Sequence, residues 1–403
     1  MKLLQLAWRN VWRNHRRSLV TIAAIALALT VELLYSGLVT GMLQGMERDI
    51  VDIELGDVQI HAEGYRDRPS IYTKIEEPAQ LVDALAQAGY PASARLLAGG
   101  LGASGNLSSG VLLHGVDVAR DREVSSVYAR VAEGAWLDPA EPEGVVIGSH
   151  LRDTLELKLG GELIVLTQGA DGSMANELYT VRGVLQGVTG ESDRAAVYMT
   201  EGAFRELMVF PEGAHRIIVR RGDVPLDAAL DEVKRVASGH DVQRWKDLIP
   251  VIAVMLESTR GLMMVIFFII YVAVGLLLLN AMLMAVFERV REFGLLKALG
   301  VAPSRVLALI FLESGIQTAI AIAVSATIAI PAMWYLATRG IDVGVLAGTD
   351  MMGVTMRPIW YGVYNLETIR GPFISLFIII SLAVLYPARK AARLNPVQAM
   401  RHR

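Results

Sequence analysis

Four apolar stretches, each flanked by charge, constrain this chain more than anything else in it. A segment inside a bilayer finds no water for its backbone, so it must be a helix of about 20 apolar residues or part of a closed barrel. The first stretch runs from Ser18 to Thr40, behind Arg9, Arg13, Arg16 and Arg17. At about 1.5 Å per residue it reaches about 34 Å, enough for a hydrocarbon core of about 30 Å. A basic lead before an apolar run is also how a signal peptide reads. This run is too long for one and no small-x-small cleavage site follows it, so an uncleaved anchor is expected. The second stretch, Gly261 to Phe287, contains the unbroken run Leu262-Met263-Met264-Val265-Ile266-Phe267-Phe268-Ile269-Ile270. The third extends from Val306 to Ala337, and Pro331 near its far end marks a kink or a stop. The fourth, Gly371 to Tyr386, is short for a crossing and must draw on Leu366 to Arg370.

Charge orients these stretches. The net charge of -3 conceals 34 acidic and 20 basic residues between positions 47 and 257, against 7 and 18 in the remainder. The N-terminal arginines, the turn with Arg289, Arg291, Lys297 and Arg305, and the tail with Arg389, Lys390, Arg393, Arg401 and Arg403 share one side of a four-crossing arrangement. Positive charge stays inside, so both termini are expected to be cytoplasmic and the acidic region outside. No basic domain of the nucleic-acid type exists, and the absence of cysteine excludes disulfides and thiolate chemistry.

Between the first two stretches lie short β-type runs at Asp57–His61, Val111–Val116, Gly144–Ile147, Leu163–Leu166, Tyr179–Val184, Ala196–Met199 and Arg216–Val219. Helical periodicity marks Pro78–Ala88, Thr200–Met208 and Leu226–Ala237. The Gly/Ser-rich stretch Gly99 to Gly110, with Ser104, Ser108 and Ser109, reads as a mobile loop. Met42–Ile53 and Asp247–Arg260 read as helical stalks prolonging their neighbouring crossings. The fold class is therefore an α-helical membrane protein with four transmembrane helices and a large α+β extracytoplasmic domain between the first and second.

Glu288 to Gly300 is a charged helical element joining the second and third stretches, with apolar residues at surface spacing. Its charges either cap and solvate a cytoplasmic turn or, with Phe293, Leu296 and Leu299 between them, form a docking surface; the interleaving favours the second reading. Gly300 followed by Pro303 reads as a helix stop and restart.

This segment and the tail Pro387-Ala388-Arg389-Lys390-Ala391-Ala392-Arg393-Leu394-Asn395-Pro396-Val397-Gln398-Ala399-Met400-Arg401 carry a resemblance to the MacB/FtsX-type permeases of ABC transporters. Within them the chain is most similar to the LolC/LolE-like lipoprotein-releasing group, which Asp57 to Tyr65 also resembles. The resemblance implies a multi-pass protein of the bacterial cytoplasmic (inner) membrane with its large domain periplasmic. Its expected order is a cytoplasmic amphipathic segment (1–17), first crossing and stalk (18–46), periplasmic α+β domain (47–250) and stalk and second crossing (251–287). A coupling helix (288–303), third crossing (304–338), extracytoplasmic loop (339–365), fourth crossing (366–386) and cytoplasmic tail (387–403) follow. No Gly-x-x-x-x-Gly-Lys-Ser/Thr run is present, so no P-loop cradles phosphate here. The chain is not expected to be an enzyme by itself and holds no cofactor. ATP and Mg are implied on a separate LolD/MacB-type ATPase dimer, pressing on Glu288, Arg289, Arg291, Glu292, Phe293, Leu296, Lys297 and Gly300. Other implied partners are a second identical or homologous permease chain, membrane lipid, a lipoprotein or other amphiphilic cargo, and a periplasmic partner. The motion would serve lipoprotein or lipid extraction; peptide or amphiphile export and FtsX-like control of a cell-wall hydrolase are the alternatives.

Met42, Met255, Leu256, Met263, Met264 and Phe267 are candidates for a greasy cargo path, although methionines at such positions more often pack crossings. Glu32 and Glu313 lie inside apolar stretches, where ionisable groups are costly. With no basic partner in view, an inter-helix hydrogen bond or cavity lining is expected of them rather than an ion path. His61, His114, His150, His215 and His240 are scattered and form no His-x-x-x-His pair, so no metal site is expected.

Overall fold

The structure is a computed structural model that describes residues 2–186, 188, 190–343, 350–351, 354–355 and 359–393. The end of the tail, residues 394–403, lies outside the described residues. The chain divides into a helical unit (Met1–Leu43, Leu256–Asp342, Ile359–Arg403) and an α+β unit (Gln44–Met255, Val343–Pro358).

Helix α1 (Lys2–Arg13) is followed at Asn14 by α2 (His15–Ile50), which ends in one π-helical turn, Val51–Leu55. The α+β unit then brings β1 (Val58–His61), α3 (Pro78–Gln87), β2 (Ala92–Ser104), β3 (Leu107–Val116), α4 (Val118–Val124), β4 (Val131–Gly134), β5 (Gly144–Gly148) and α5 (Ser149–Thr154). It continues with β6 (Glu162–Gln168), β7 (Met174–Leu185), α6 (Gly190–Ala195), β8 (Ala196–Thr200), α7 (Glu201–Leu207), β9 (Arg216–Val219), α8 (Leu226–Val236), β10 (Asp241–Arg244) and α9 (Trp245–Leu248). Helices α10 (Pro250–Glu288), α11 (Val290–Ala298), α12 (Pro303–Thr338) and α13 (Leu366–Ala392) follow, with two-residue strands between the last two.

Among the described residues four helices, those running His15–Leu55, Pro250–Glu288, Pro303–Thr338 and Leu366–Ala392, are long and apolar enough to cross a membrane. Pro250 sets the start of α10, so the second stalk begins as a separate short helix, α9, instead of one element from Asp247. Asn365 caps α13 through the Thr368 amide at 2.9 Å, which starts the helix at Leu366 and supplies the residues its apolar core lacks. Helix α12 runs through Pro331 without stopping, a tolerance common in apolar surroundings where neighbouring groups take up the freed backbone.

The helical core joins Ile25 and Leu29 of α2, Leu278 and Met282 of α10, Leu309 and Ile310 of α12, and Leu376 and Val384 of α13. Ala321, Ala329, Ala388 and Ala391 are fully buried, their small side chains allowing close helix approach. Polar pairs cross the same interfaces: Thr30 donates to Ser325 at 3.0 Å and Gln317 to Ser18 at 3.3 Å. Gly37 and Gly41 of α2 leave room for the chain before α13. A methyl at Gly37 would enter the Tyr364 ring and one at Gly41 would strike the Tyr361 carbonyl, while the Val363 amide donates to the Gly37 carbonyl at 2.9 Å.

In the α+β unit the strand pairings close a circuit: β2, β3, β8, β5, β7 and β6, with β6 pairing back to β2. Strands β9, β1 and β10 extend the sheet from β2, and β4 extends it from β7. Leu96, Leu113, Val145, Ile147, Leu163, Val165, Val181 and Val197 fill one face together with Leu151 of α5 and Phe204 of α7. The stretch Gly99 to Gly110 is not a loop. Its residues pair in register from Gly99↔Leu112 to Ser104↔Leu107, and only Gly105 and Asn106 turn, with Gly105 at φ +56°. Gly102 faces the core, where an added methyl would press on Val111 and Leu163.

Candidate functional site

The charged element between α10 and α12 assembles around Arg289, the single residue that separates α10 from α11. Its Nη1 donates to both carboxylate oxygens of Glu313 on α12, at 2.9 and 3.0 Å. Its Nε donates to Glu292 at 2.9 Å, and the guanidinium lies 5.0 Å from the Phe293 ring centroid. Arg289 and Glu313 are 8% and 7% exposed, so this is a buried pair. Burial makes both partners necessary, since either charge alone would be left without compensation.

Helix α1 completes the arrangement. Asn10 donates to Glu313 at 2.6 Å, Arg13 pairs with Glu292 at 2.9 Å, and Asn14 and Arg17 donate to Glu288 at 3.2 and 2.8 Å. Asn10, Arg13, Asn14 and Arg17 recur at helical spacing, so one face of α1 and the turn after it meets the charged element. The opposite side of α1 exposes Leu4, Trp8 and Trp12, while Ala7 and Val11 are buried. At the other end of α11, Gly300 sits at φ +87° and its amide donates to the Lys297 carbonyl while the Val301 amide donates to Leu296, both at 3.0 Å. This Schellman arrangement ends the helix, and Pro303 starts α12. Lys297 Nζ donates to the Ala392 carbonyl at 2.9 Å, at the carbonyl-rich end of α13.

These contacts change which residues face outward. Phe293 is 1% exposed and packs in the helical core, Leu296 is half-buried against it, and Arg289 is turned inward. Glu288, Glu292 and Lys297 are engaged by the helical unit itself. The outward face instead presents Arg291, Leu295 and Leu299, the two leucines 55% and 75% exposed, with Gly300 beside them. The sequence reading missed Leu295 as well as Asn10 and Arg13, although the helical spacing on α1 was visible. Glu313 also has the basic partner that the sequence did not reveal.

Glu32 takes a hydrogen bond from the Tyr271 hydroxyl, which also lies 2.8 Å from the Pro372 carbonyl, joining α2, α10 and α13. The six cargo-path candidates do not share one face. Leu256 and Met263 are buried, whereas Met264 is 73% exposed beside Leu262, Val265 and Phe268. Phe267 is half-buried, edge-on to Tyr35 at 5.7 Å, and Met42 and Met255 are partly buried. Among the described residues no group of three or more His, Cys, Asp or Glu gathers as a metal site would.

Two family models match the chain: a MacB-like periplasmic core domain over residues 18–236 and an FtsX-like permease C-terminal region over 264–396. Among curated proteins, an uncharacterized ABC transporter permease of Methanocaldococcus jannaschii is 25% identical over 295 residues, covering 67% of this chain and 65% of that one. The chain thus spans less than two thirds of the length of that relative. The lipoprotein-releasing system transmembrane protein LolC of Neisseria meningitidis is 22% identical over 415 residues, covering 96% of this chain and 94% of that one. Among solved structures, the periplasmic region of MacB from Actinobacillus actinomycetemcomitans gives a TM-score of 0.36 at 14% identity, over 49% of this chain and 91% of that one. The extracellular domain of the transporter YknZ from Gram-positive bacteria gives 0.34 at 14%, over 47% and 99%.

Proposed function

The chain belongs to the ABC-transporter permeases with a MacB-like periplasmic core domain and an FtsX-like C-terminal region, and we propose that it passes ATP-driven motion from a partner subunit to its α+β unit. In this reading ATP and Mg stay on a separate LolD/MacB-type ATPase dimer. Two permease chains, identical or related, face that dimer from the inner membrane, both termini are cytoplasmic and the α+β unit is periplasmic.

The observation that carries the reading is the two-sided construction of α11. Its inner side is fixed by a buried ion pair to α12 and by α1, while its outer side offers Leu295, Leu299 and Arg291. An exposed apolar pair with a cation suits a protein groove, and a helix clamped to a long apolar helix passes a push onward without fraying. Arg289 and Glu292 are then positioning residues rather than the docking face, and Leu295 replaces Phe293 in that role.

Release of lipoproteins or lipids from the inner membrane is the cargo reading we favour. It is supported by the end-to-end match to a relative named for lipoprotein release. Extraction of an acyl chain opposes about 0.8 kcal/mol for each buried methylene, which is a reason to couple the step to ATP. The coupling reading is tested at the docking face. Co-purified from native membrane, Leu295→Asp/Leu299→Asp is expected to lose its ATPase partner by about tenfold or more while its own unfolding temperature stays near wild type. Retention of the partner and of coupled turnover would refute docking through α11.

A further inference from the structure

The α+β unit holds a cleft of about 750 Å³, within the size range of small-molecule sites. Strand register explains its floor, because residues directly opposite in a sheet share a face. The pairs His61↔Arg216, Arg95↔Arg216, Leu97↔His114, His114↔Tyr198 and Gly99↔Leu112 put these side chains on the face away from the core of Leu113 and Phe204. Two arginines are therefore neighbours on a largely buried surface. Arg95 is fully buried and bonded to both oxygens of Asp121, at 2.8 and 3.0 Å. Arg216 lines the cleft and has no hydrogen-bond or ion-pair partner among the described residues, its Nε being buried without an acceptor.

The surroundings do not relieve it. Burial and the neighbouring Arg95 push the Arg216 guanidinium below its ordinary value, against the milder opposite pull of Glu54. Glu54, also on the lining, accepts from Tyr198 at 3.2 Å and from Ser192. His114, also on the lining, is held neutral by burial, and its Nδ1 has no partner. Leu97, Leu101, Leu112 and Leu166 make an apolar strip along the floor, with Ser70, Thr167 and Gln168 also on the lining. The same face continues outward through Ile164 and Leu178, 38% and 47% exposed, which stand opposite each other. A polar end and a long apolar wall together describe more than a site for a bare anion.

We propose that this cleft binds a small amphiphile with one anionic head, carboxylate or phosphate monoester, whose head pairs with Arg216 and whose chain lies along Leu97, Leu112, Leu101 and Leu166. The head supplies to Arg216 what Asp121 supplies to Arg95. The site is independent of the coupling reading, because binding is measured without ATPase or turnover.

The full-length chain in phosphatidylcholine nanodiscs is titrated calorimetrically with octanoate, octyl phosphate and 1-octanol, with empty discs subtracted. At least one anion is expected to bind saturably and about tenfold or more tighter than octanol, and the tighter of the two identifies the head group. Arg216→Gln is expected to weaken that anion about 10- to 100-fold, the usual loss of a charge-assisted pair. Gly99→Trp tests the cleft with the guanidinium intact. A Cβ at Gly99 meets open space, so the ring can fill the floor without displacing the backbone, and binding should fall by a similar factor. Equal binding of octanol, wild-type binding by both variants, or no saturable heat with either anion would overturn the proposal.

Discussion

Arg289 and Glu313 show how two costly residues become affordable only together. Each is nearly inaccessible, and Asn10 and Glu292 occupy hydrogen-bonding positions that water would otherwise fill. Removing one partner strands the other, which costs about 3–5 kcal/mol at buried pairs, whereas an apolar replacement of both is often near neutral. Glu313→Ala should therefore lower the unfolding temperature of the purified chain strongly, and Arg289→Met/Glu313→Met should recover most of the loss. Equal stability of the single and double variants would show that the pair is not closed from water. Such a double variant also separates folding from coupling, because α11 would keep its helix but lose its anchor to α12.

At the level of elements, the β2–β3 hairpin is where packing overrides composition. Gly102→Leu is expected to destabilise the chain by about 1–3 kcal/mol through overpacking against Val111 and Leu163. Gly110→Ala, whose Cβ meets nothing within 4 Å, should stay within about 0.5 kcal/mol of wild type in the same denaturation series. A neutral Gly102→Leu would mean that the segment is loose after all. Strands such as β5 and β8 were legible because Val145-Val146-Ile147 and Ala196-Val197-Tyr198 are β-formers bounded by turns. Strand β2 was not, because its Ala, Gly and Ser residues signal a loop until the facing side chains are known. The site divides in the same way. The position and ends of α11 could be read from Gly300 and Pro303, but its buried side is set by α1, about 280 positions away in sequence, and by Glu313. Short helices carry too few turns for periodicity alone to tell core from surface, so spacing points Phe293 outward and does not single out Leu295.

For the molecule as a whole, charge asymmetry remains the argument for orientation. The chain has no cysteine, so one introduced thiol reports one position. Ala298→Cys, exposed at the end of α11, should resist an impermeant maleimide on intact cells and react after permeabilisation, while Asp171→Cys in the α+β unit should react at once. The reverse pattern would invert the molecule and with it the coupling scheme. Closure of the strand circuit has a different consequence. Among the described residues its free borders are short: the outer sides of β4 and β10, four residues each, Leu107–Val111 of β3 beyond its pairing with β8, and Met174–Tyr179 of β7 beyond its pairing with β5. β4 is interrupted by a register shift after Val131, and β10 is shielded where Arg66 bonds Gln243 and Arg244 holds Asp247. A protein that docks by adding a strand of its own to this unit thus finds guarded berths at β4 and β10 and is left the far ends of β3 and β7, each only a few residues long.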